Sequence, residues 1–348
     1  MTSSVSPTRA DPMRIGWRGL LGIALSGLLL WLTLRDVDLA EVVTILRTSR
    51  LGLWLACTVV ATAIFPLRAR RWQAILAPIA PRVPVTPLWH ATAIGMMVNN
   101  VVPARAGEMA RAFAISRARP EIPFAAALGS LVVDRLFDGT VVLGLLLLAT
   151  LDPRFPADAT ILGWTAGRIA LGAGAILAVV LSGVVVLLAA PDLVARLVSG
   201  TIGRLSPRLG ERLHHLVTTF AAGVAVLRSP ALVTEVLWWT LLHWLTNAAA
   251  FWLGFLAIGV HAPFSASLFL QGIIAIGVAI PSSPGFFGFF EAAGKAGLGL
   301  YGVPSDLAVS WAIGFHLLSF VPITVIGAWY FVRQHLHFRD MTAAGDAS

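Results

Sequence analysis

The densest group of polar side chains in an otherwise apolar sequence is Asn99, Asn100, Pro103, Arg105, Gly107, Glu108 and Arg111. Arg105 and Arg111 present planar guanidinium groups, whose paired donors match the oxygens of a phosphate. Asn99 and Asn100 can bind either a ligand or backbone groups freed where a helix breaks. Glu108 and Arg111 are three residues apart, so they can equally pair with each other on a helix that begins near Gly107. A second group, Asp134, Arg135 and Asp138, lies inside a long apolar run. Asp134 and Asp138 share a helical face at i, i+4, and charges within a membrane span are costly enough to count as functional candidates. The third group is Ser282, Ser283, Pro284, Gly285, Gly288 and Glu291, interleaved with Phe286, Phe287, Phe289 and Phe290. The phenylalanines suit an acyl chain, or the ordinary packing of a hairpin tip. His243 and Asn247 share a helical face and His316 stands in the last apolar run; membrane histidines of this kind more often serve as hydrogen-bonded structural groups than as proton carriers.

The elements that must hold these residues follow from composition. Of 348 residues, 57% are hydrophobic and 12% charged, with a mean hydropathy of +0.84, whereas soluble domains carry about 25% charged residues. The chain reads as a polytopic membrane protein. Its net charge of +8 therefore speaks to orientation in the bilayer, and no nucleic-acid partner is expected. A single cysteine, Cys57, excludes a disulfide framework, and no paired Cys/His motif marks a metal site. No phosphate-binding Gly-Lys loop, dinucleotide fingerprint or nucleophile elbow is found, so neither an ATP motor nor a cofactor is expected.

Six apolar runs are long enough, or nearly so, to span a bilayer: 17–34, 51–67, 124–150, 161–190, 232–258 and 306–332. Two others are too short. Residues 93–108 (AIGMMVNNVVPARAGE) and 275–291 (AIGVAIPSSPGFFGFFE) each begin apolar, break at proline and glycine, and end on a glutamate, 182 residues apart. Interrupted apolar segments at matching places in two halves point to a transporter's substrate site. With the N-terminus inside, 18 of the 25 basic residues fall on cytoplasmic flanks, among them Arg68, Arg70 and Arg71, and six on the other side. By that bias both termini are cytoplasmic, the segment 88–104 enters from the cytoplasm, and 265–291 enters from outside. The expected fold is all-α: about six full spans plus two re-entrant, broken helical hairpins in an inverted repeat. Half one covers 51–150 and half two 232–332, with an amphipathic cytoplasmic insert at 191–231 between them, in one membrane domain over 17–335 flanked by tails at 1–16 and 336–348.

Four stretches carry a family resemblance: RARRWQAIL (68–76), NNVVPARAGEMARAFAIS (99–116), LVVDRLFDG (131–139) and IPSSPGFFGFFEAA (280–293). Together they resemble the lysylphosphatidylglycerol synthase transmembrane family, the flippase-like domain also found at the N-terminus of bacterial aminoacyl-phosphatidylglycerol synthases. The resemblance covers roughly 50–335, and the positions matching its pattern are Asn100, Pro103, Arg105, Gly107, Glu108, Arg111, Asp134, Arg135, Pro284, Gly285, Gly288 and Glu291. It implies a multi-span lipid translocase. The acyltransferase domain of the bifunctional members is not expected in this chain, so lysylation of lipid is not carried over.

The function expected is that of a flippase in the bacterial inner membrane, moving an amphipathic, phosphate-bearing lipid between leaflets by alternating access, a transporter rather than an enzyme. Its substrate-binding residues would be Asn99, Asn100, Arg105, Glu108, Arg111, Asp134, Arg135, Ser283, Gly285 and Glu291, with Glu108 and Glu291 near one another. Its partners would be a membrane phospholipid or lipid-linked substrate and, in a scaffold role, lipid-biosynthesis enzymes. The alternative is a membrane transferase in which Asp134, Asp138 or Glu108 acts as a base or holds Mg²⁺.

Overall fold

The structure is a computed structural model that describes residues 17–102, 106–161, 163–189, 225–278 and 284–336. The tails and most of the 191–231 insert lie outside the described residues, as do Arg105 and Ser283. Among the described residues the chain is all-helical apart from one short hairpin pairing Thr160–Ile161 with Trp164–Thr165. The eleven α-helices of the described residues are α1 (Trp17–Leu34), α2 (Leu39–Thr48), α3 (Leu51–Leu76), α4 (Val85–Val101), α5 (Gly107–Ala118), α6 (Phe124–Ala149), α7 (Ala166–Ala189), α8 (Pro230–Ala257), α9 (Phe264–Val278), α10 (Phe289–Leu300) and α11 (Ser305–Arg333).

Helix starts follow local chemistry. The Asp38 carboxylate accepts the amide hydrogens of Ala40 and Glu41 at the head of α2, and Ser229 caps α8 with Pro230 at its first position. Pro123 and Pro304 precede α6 and α11. The six expected spans correspond to α1, α3, α6, α7, α8 and α11. Among the described residues, three helices are long and apolar enough to cross a membrane, over Leu51–Leu76, Ala166–Gly183 and Ser305–Arg333. Helices α6 and α8, 26 and 28 residues long, reach about 39 and 42 Å at a rise of 1.5 Å per residue, but carry the charged and polar groups described below.

Helix α3 departs from its expected end at residue 67: it continues nine residues further, to Leu76, so that Arg68 and Arg71 are buried rather than flanking charges. The physical reason is that α6 supplies carboxylates at the depth where the arginines arrive. Helix α2, with Val42 buried, was not foreseen.

Both short apolar segments are broken. Helix α4 stops at Val101, and Val102 turns to extended backbone (φ −105°, ψ 132°), the conformation that a following proline imposes. The chain resumes as α5, which packs on α4. The crossing is close enough that a Cβ on Gly107 would lie 2.2 Å from the Gly95 carbonyl oxygen. The second break separates α9 from α10, with a 3-10 turn at Pro284–Phe286.

The two sets of elements interlock. Helix α3 packs along α8, α4 packs on α11 and α6 on α9; likewise α4 packs on α5 and α9 on α10, then α5 on α6 and α10 on α11. Exchanging α3, α4, α5, α6 for α8, α9, α10, α11 maps the α3–α8 pair onto itself and each of the other pairs onto another of them. Outside the interlocked helices, the α6–α7 loop is pinned by Asp152, which accepts a hydrogen bond from Ser265 Oγ (2.7 Å) and is paired with Arg154 (3.0 Å). The Arg154 hydrogen bond, then that of Ser265, hold the Asp152 carboxyl below the usual carboxylate range.

Gly107→Ala is expected to force α4 and α5 apart and cost about 1–3 kcal/mol by overpacking. Gly139→Ala, with nothing within 4 Å of the added Cβ, should not lower stability, since alanine suits a helix interior better than glycine. Thermal unfolding of both variants in detergent checks the contrast.

Candidate functional site

Helical spacing brings a charged cluster together. Arg68, Arg71 and Trp72 lie at i, i+3, i+4 on α3, Ser130, Asp134 and Asp138 at i, i+4, i+8 on α6, and Glu108 and Arg111 at i, i+3 on α5. Arg71, fully buried, sits between the two acids of α6: 2.6 Å from Asp134 and 2.5 Å from Asp138. Asp138 also accepts the indole N–H of Trp244 on α8 at 2.9 Å, so three helices meet on one carboxylate. Arg111 donates to Asp134 (3.0 Å) and lies over the Trp72 ring at 4.0 Å, while Trp72 donates its indole hydrogen to Ser130 (2.8 Å). Arg135, half-exposed, pairs with Glu108 and reaches Asp138 at 3.5 Å.

Among the described residues this cluster sets four guanidinium groups, on Arg68, Arg71, Arg111 and Arg135, against three carboxylates, on Asp134, Asp138 and Glu108. The least engaged cation is Arg68. Its nearest carboxylate oxygens stand 3.9 Å away on Asp134 and Asp138, and its Nε has no hydrogen-bond partner. Beside it opens a cavity of about 240 Å³, lined by Arg68, Asn100, His243, Asn247, Gln271 and His316 together with apolar side chains. The polar groups come from α3, α4, α8, α9 and α11, so the cavity lies at the meeting of both interlocked sets. Asn247 Nδ2 donates to Gln271 Oε1 (3.0 Å), and Asn100 Nδ2 donates to Thr324 Oγ1 on α11 (2.7 Å).

The turn after α9 closes one wall. Gly285 and Gly288 both have positive φ (66° and 83°), and so does Phe286 (61°), a conformation that costs a non-glycine residue about 1–3 kcal/mol. A Cβ on Gly288 would lie 2.3 Å from the Ser26 carbonyl oxygen on α1. Glu291, at the third position of α10, accepts the Gly288 amide hydrogen at 2.6 Å. Its other carboxylate oxygen lies 2.6 Å from His316 Nδ1, and His316 Nε2 lies 2.8 Å from the Gly285 carbonyl oxygen.

Of the residues singled out from the sequence, Arg111 and Asp134 are brought together, as are Glu108 and Arg135, so the i, i+3 pairing of Glu108 with Arg111 gives way to longer-range partners. Asn99 accepts the Gly107 amide hydrogen at 2.9 Å, tying the two sides of the first break. Asn100 and Gly285 line the cavity. Glu108 and Glu291 attend separate clusters, one through Arg135 and the other through His316. Arg68, Arg71, Trp244, Gln271 and Thr324 were not in the expected set. Arg68 and Arg71 did carry a signal, since their spacing with Trp72 matches the periodicity of the acids on α6.

A family profile described as the lysylphosphatidylglycerol synthase TM region matches residues 19–327. The chain belongs to this family. Its resemblance to curated proteins includes the glycosyltransferase AglD of Haloferax volcanii, 35% identical over 124 residues, which make up 36% of this chain and 20% of that protein. The chain thus matches about a fifth of the length of that relative. In this family member the α3–α6 ion network and the α10–α11 carboxylate–imidazole pair flank one cavity.

Removing a partner from a buried ion pair leaves an uncompensated charge, so Arg71→Met is expected to cost about 3–5 kcal/mol. Arg135→Gln, at a half-exposed pair, should cost under about 1 kcal/mol. Unfolding midpoints in detergent at matched concentration test this ranking.

Proposed function

We propose that this chain is a lipid translocase whose cargo carries an anionic, phosphate-type headgroup. The observation that carries the reading is Arg68: a buried guanidinium, incompletely paired, at the boundary between a cation-rich network and a cavity with mostly apolar walls. An anion in the cavity would complete the charge balance of the network, and planar guanidinium donors suit phosphate oxygens. Acyl chains would remain in the bilayer beside the apolar walls. Arg105, Ser283, Asn99, Asn100, Glu108, Arg111, Asp134, Arg135, Gly285 and Glu291 are retained as the wider candidate set, Arg105 and Ser283 from the sequence alone.

Alternating access would come from the two interlocked sets rocking about the α3–α8 contact. The reciprocal packing of α4 with α11 and α9 with α6 supports an inverted repeat. The proposed setting is the bacterial inner membrane, with the termini cytoplasmic, as the arginine bias favours.

The second reading, a transferase acting on a lipid-linked substrate, draws on the glycosyltransferase name of AglD. Its candidate bases, Asp134 and Asp138, are each held by Arg71 and a further partner. That engagement favours structural service over proton abstraction, and the translocase reading therefore ranks first. A covalent product from purified protein, labelled sugar donor and lipid acceptor would reverse the order.

In proteoliposomes, leaflet exchange of a fluorescent phosphatidylglycerol is expected to fall about tenfold or more in Arg68→Gln, a barrier increase of at least about 1.4 kcal/mol. Arg70→Gln should be indifferent, because Arg70 is exposed and bonds only Gln73 at 3.3 Å. Equal rates for Arg68→Gln and the native protein would overturn the assignment.

A further inference from the structure

The contacts of His316 fix a count of protons. Both ring nitrogens face acceptors: Nε2 faces the Gly285 carbonyl oxygen at 2.8 Å, and Nδ1 faces Glu291 Oε1 at 2.6 Å. The remaining oxygen, Oε2, already accepts the Gly288 amide hydrogen at 2.6 Å. A carbonyl has no hydrogen to give, so Nε2 must donate to Gly285. The 2.6 Å contact then needs a second proton, on Nδ1 or on Oε1. Without it, an imidazole lone pair faces a carboxylate oxygen, and the tie between α11 and α10 becomes repulsive.

This proton sits where it can act on the cavity. Glu291 and His316 are buried, and the Phe287 ring stacks on the imidazole at 4.3 Å. An unpaired carboxylate among aromatic rings is costly. The two ties close a ring from α11 through Gly285 and through Glu291 to Gly288, spanning the segment with positive φ at Gly285, Phe286 and Gly288. His316, Gly285 and Phe286 line the same cavity as Arg68. Of the elements packed around the pair, α10 presents Glu291 itself, α3 presents Arg68 and α8 presents His243 across the cavity, whereas α4 brings the uncharged Asn100.

We propose that Glu291 and His316 form a proton-binding latch: with the shared proton present, they hold the 284–288 turn against the cavity, and its transfer to cavity water frees that turn. No other bond is made or broken in the step. The inference rests on the translocase reading only for its consequence, that lipid movement responds to a proton gradient. The latch itself stands on the hydrogen-bond geometry.

The test uses the full chain in phospholipid nanodiscs. Hydrogen–deuterium exchange is followed in the peptide covering 284–292 between about pH 6 and pH 9, a range that brackets imidazole titration, after correction for the intrinsic pH dependence of exchange. Protection in the native protein is expected at the acidic end and to fall about tenfold as pH rises. His316→Gln, which removes the imidazole, should give a flat profile, and Glu291→Gln, whose amide can donate a non-titrating hydrogen to Nδ1, should stay protected as pH rises, while α3 and α6 keep their native protection. A flat profile in the native protein overturns the latch, and that result decides the matter even if neither variant folds. The same preparation in proteoliposomes separates the two proposals. Phosphatidylglycerol exchange that ignores an imposed pH gradient, with flat protection, sinks the latch and leaves translocation standing. Absence of lipid exchange with a pH-dependent profile does the reverse.

Discussion

Burying charge in a low-dielectric interior is the constraint on which the arrangement of this protein depends. Arg71 has no exposed surface, and its guanidinium is tolerable only because Asp134 and Asp138 lie within 2.6 Å. Those acids can both approach it because they are four residues apart on α6, and Arg71 arrives because α3 does not stop where its apolar run ends. Asp138 in turn receives Trp244, and Asp134 receives Arg111. The mutual position of α3, α5, α6 and α8 is thereby set by one electrostatic requirement. A network of this kind contributes less to net stability than to register: the gain in Coulomb energy is largely offset by desolvation, while any other packing would strand a charge.

A second constraint acts on backbone. Where helices break among apolar side chains, the freed amides and carbonyls need partners from within the protein. Asn99 supplies one at the first break by accepting from Gly107. At the second, His316 and Glu291 serve Gly285 and Gly288. Polar residues at these breaks thus have a structural duty that exists whether or not a ligand binds. Arg68 differs, because no break accounts for it and its carboxylates stand 3.9 Å away, beyond hydrogen-bonding distance.

Much of this was legible in the sequence, and the reasons are local. Val102 is extended because Pro103 follows it; the start of α8 is written in Ser229 and Pro230; the matched glycines and prolines mark two breaks. Asp134 and Asp138 announced a charged face by spacing alone. The end of α3 was not legible, since an apolar run ending in arginines looks the same whether those arginines meet solvent or meet acids 63–70 residues further along the chain. His316 was visible as a membrane histidine, but its two acceptors come from a turn 31 residues and a helix 25 residues away. The pairing of α4 with α11 has no periodic signature in either segment and emerges only from how the halves interlock.

That interlocking bears on mechanism. If each set of helices packed only within itself, motion between the sets would expose two self-contained faces and the cavity between them would have no fixed walls. Here the first broken element leans on α11 and the second on α6, so each set carries a wall belonging to the other. In the rocking proposed above, each broken element would move with its own set, in opposite senses relative to the cavity. Arg68 lies on α3, at the axis of such a motion, while His316 lies on α11, in the second set. Under the two proposals above, a cation near the pivot would hold the headgroup's anion while a proton-dependent tie on α11 would govern the turn at the cavity wall.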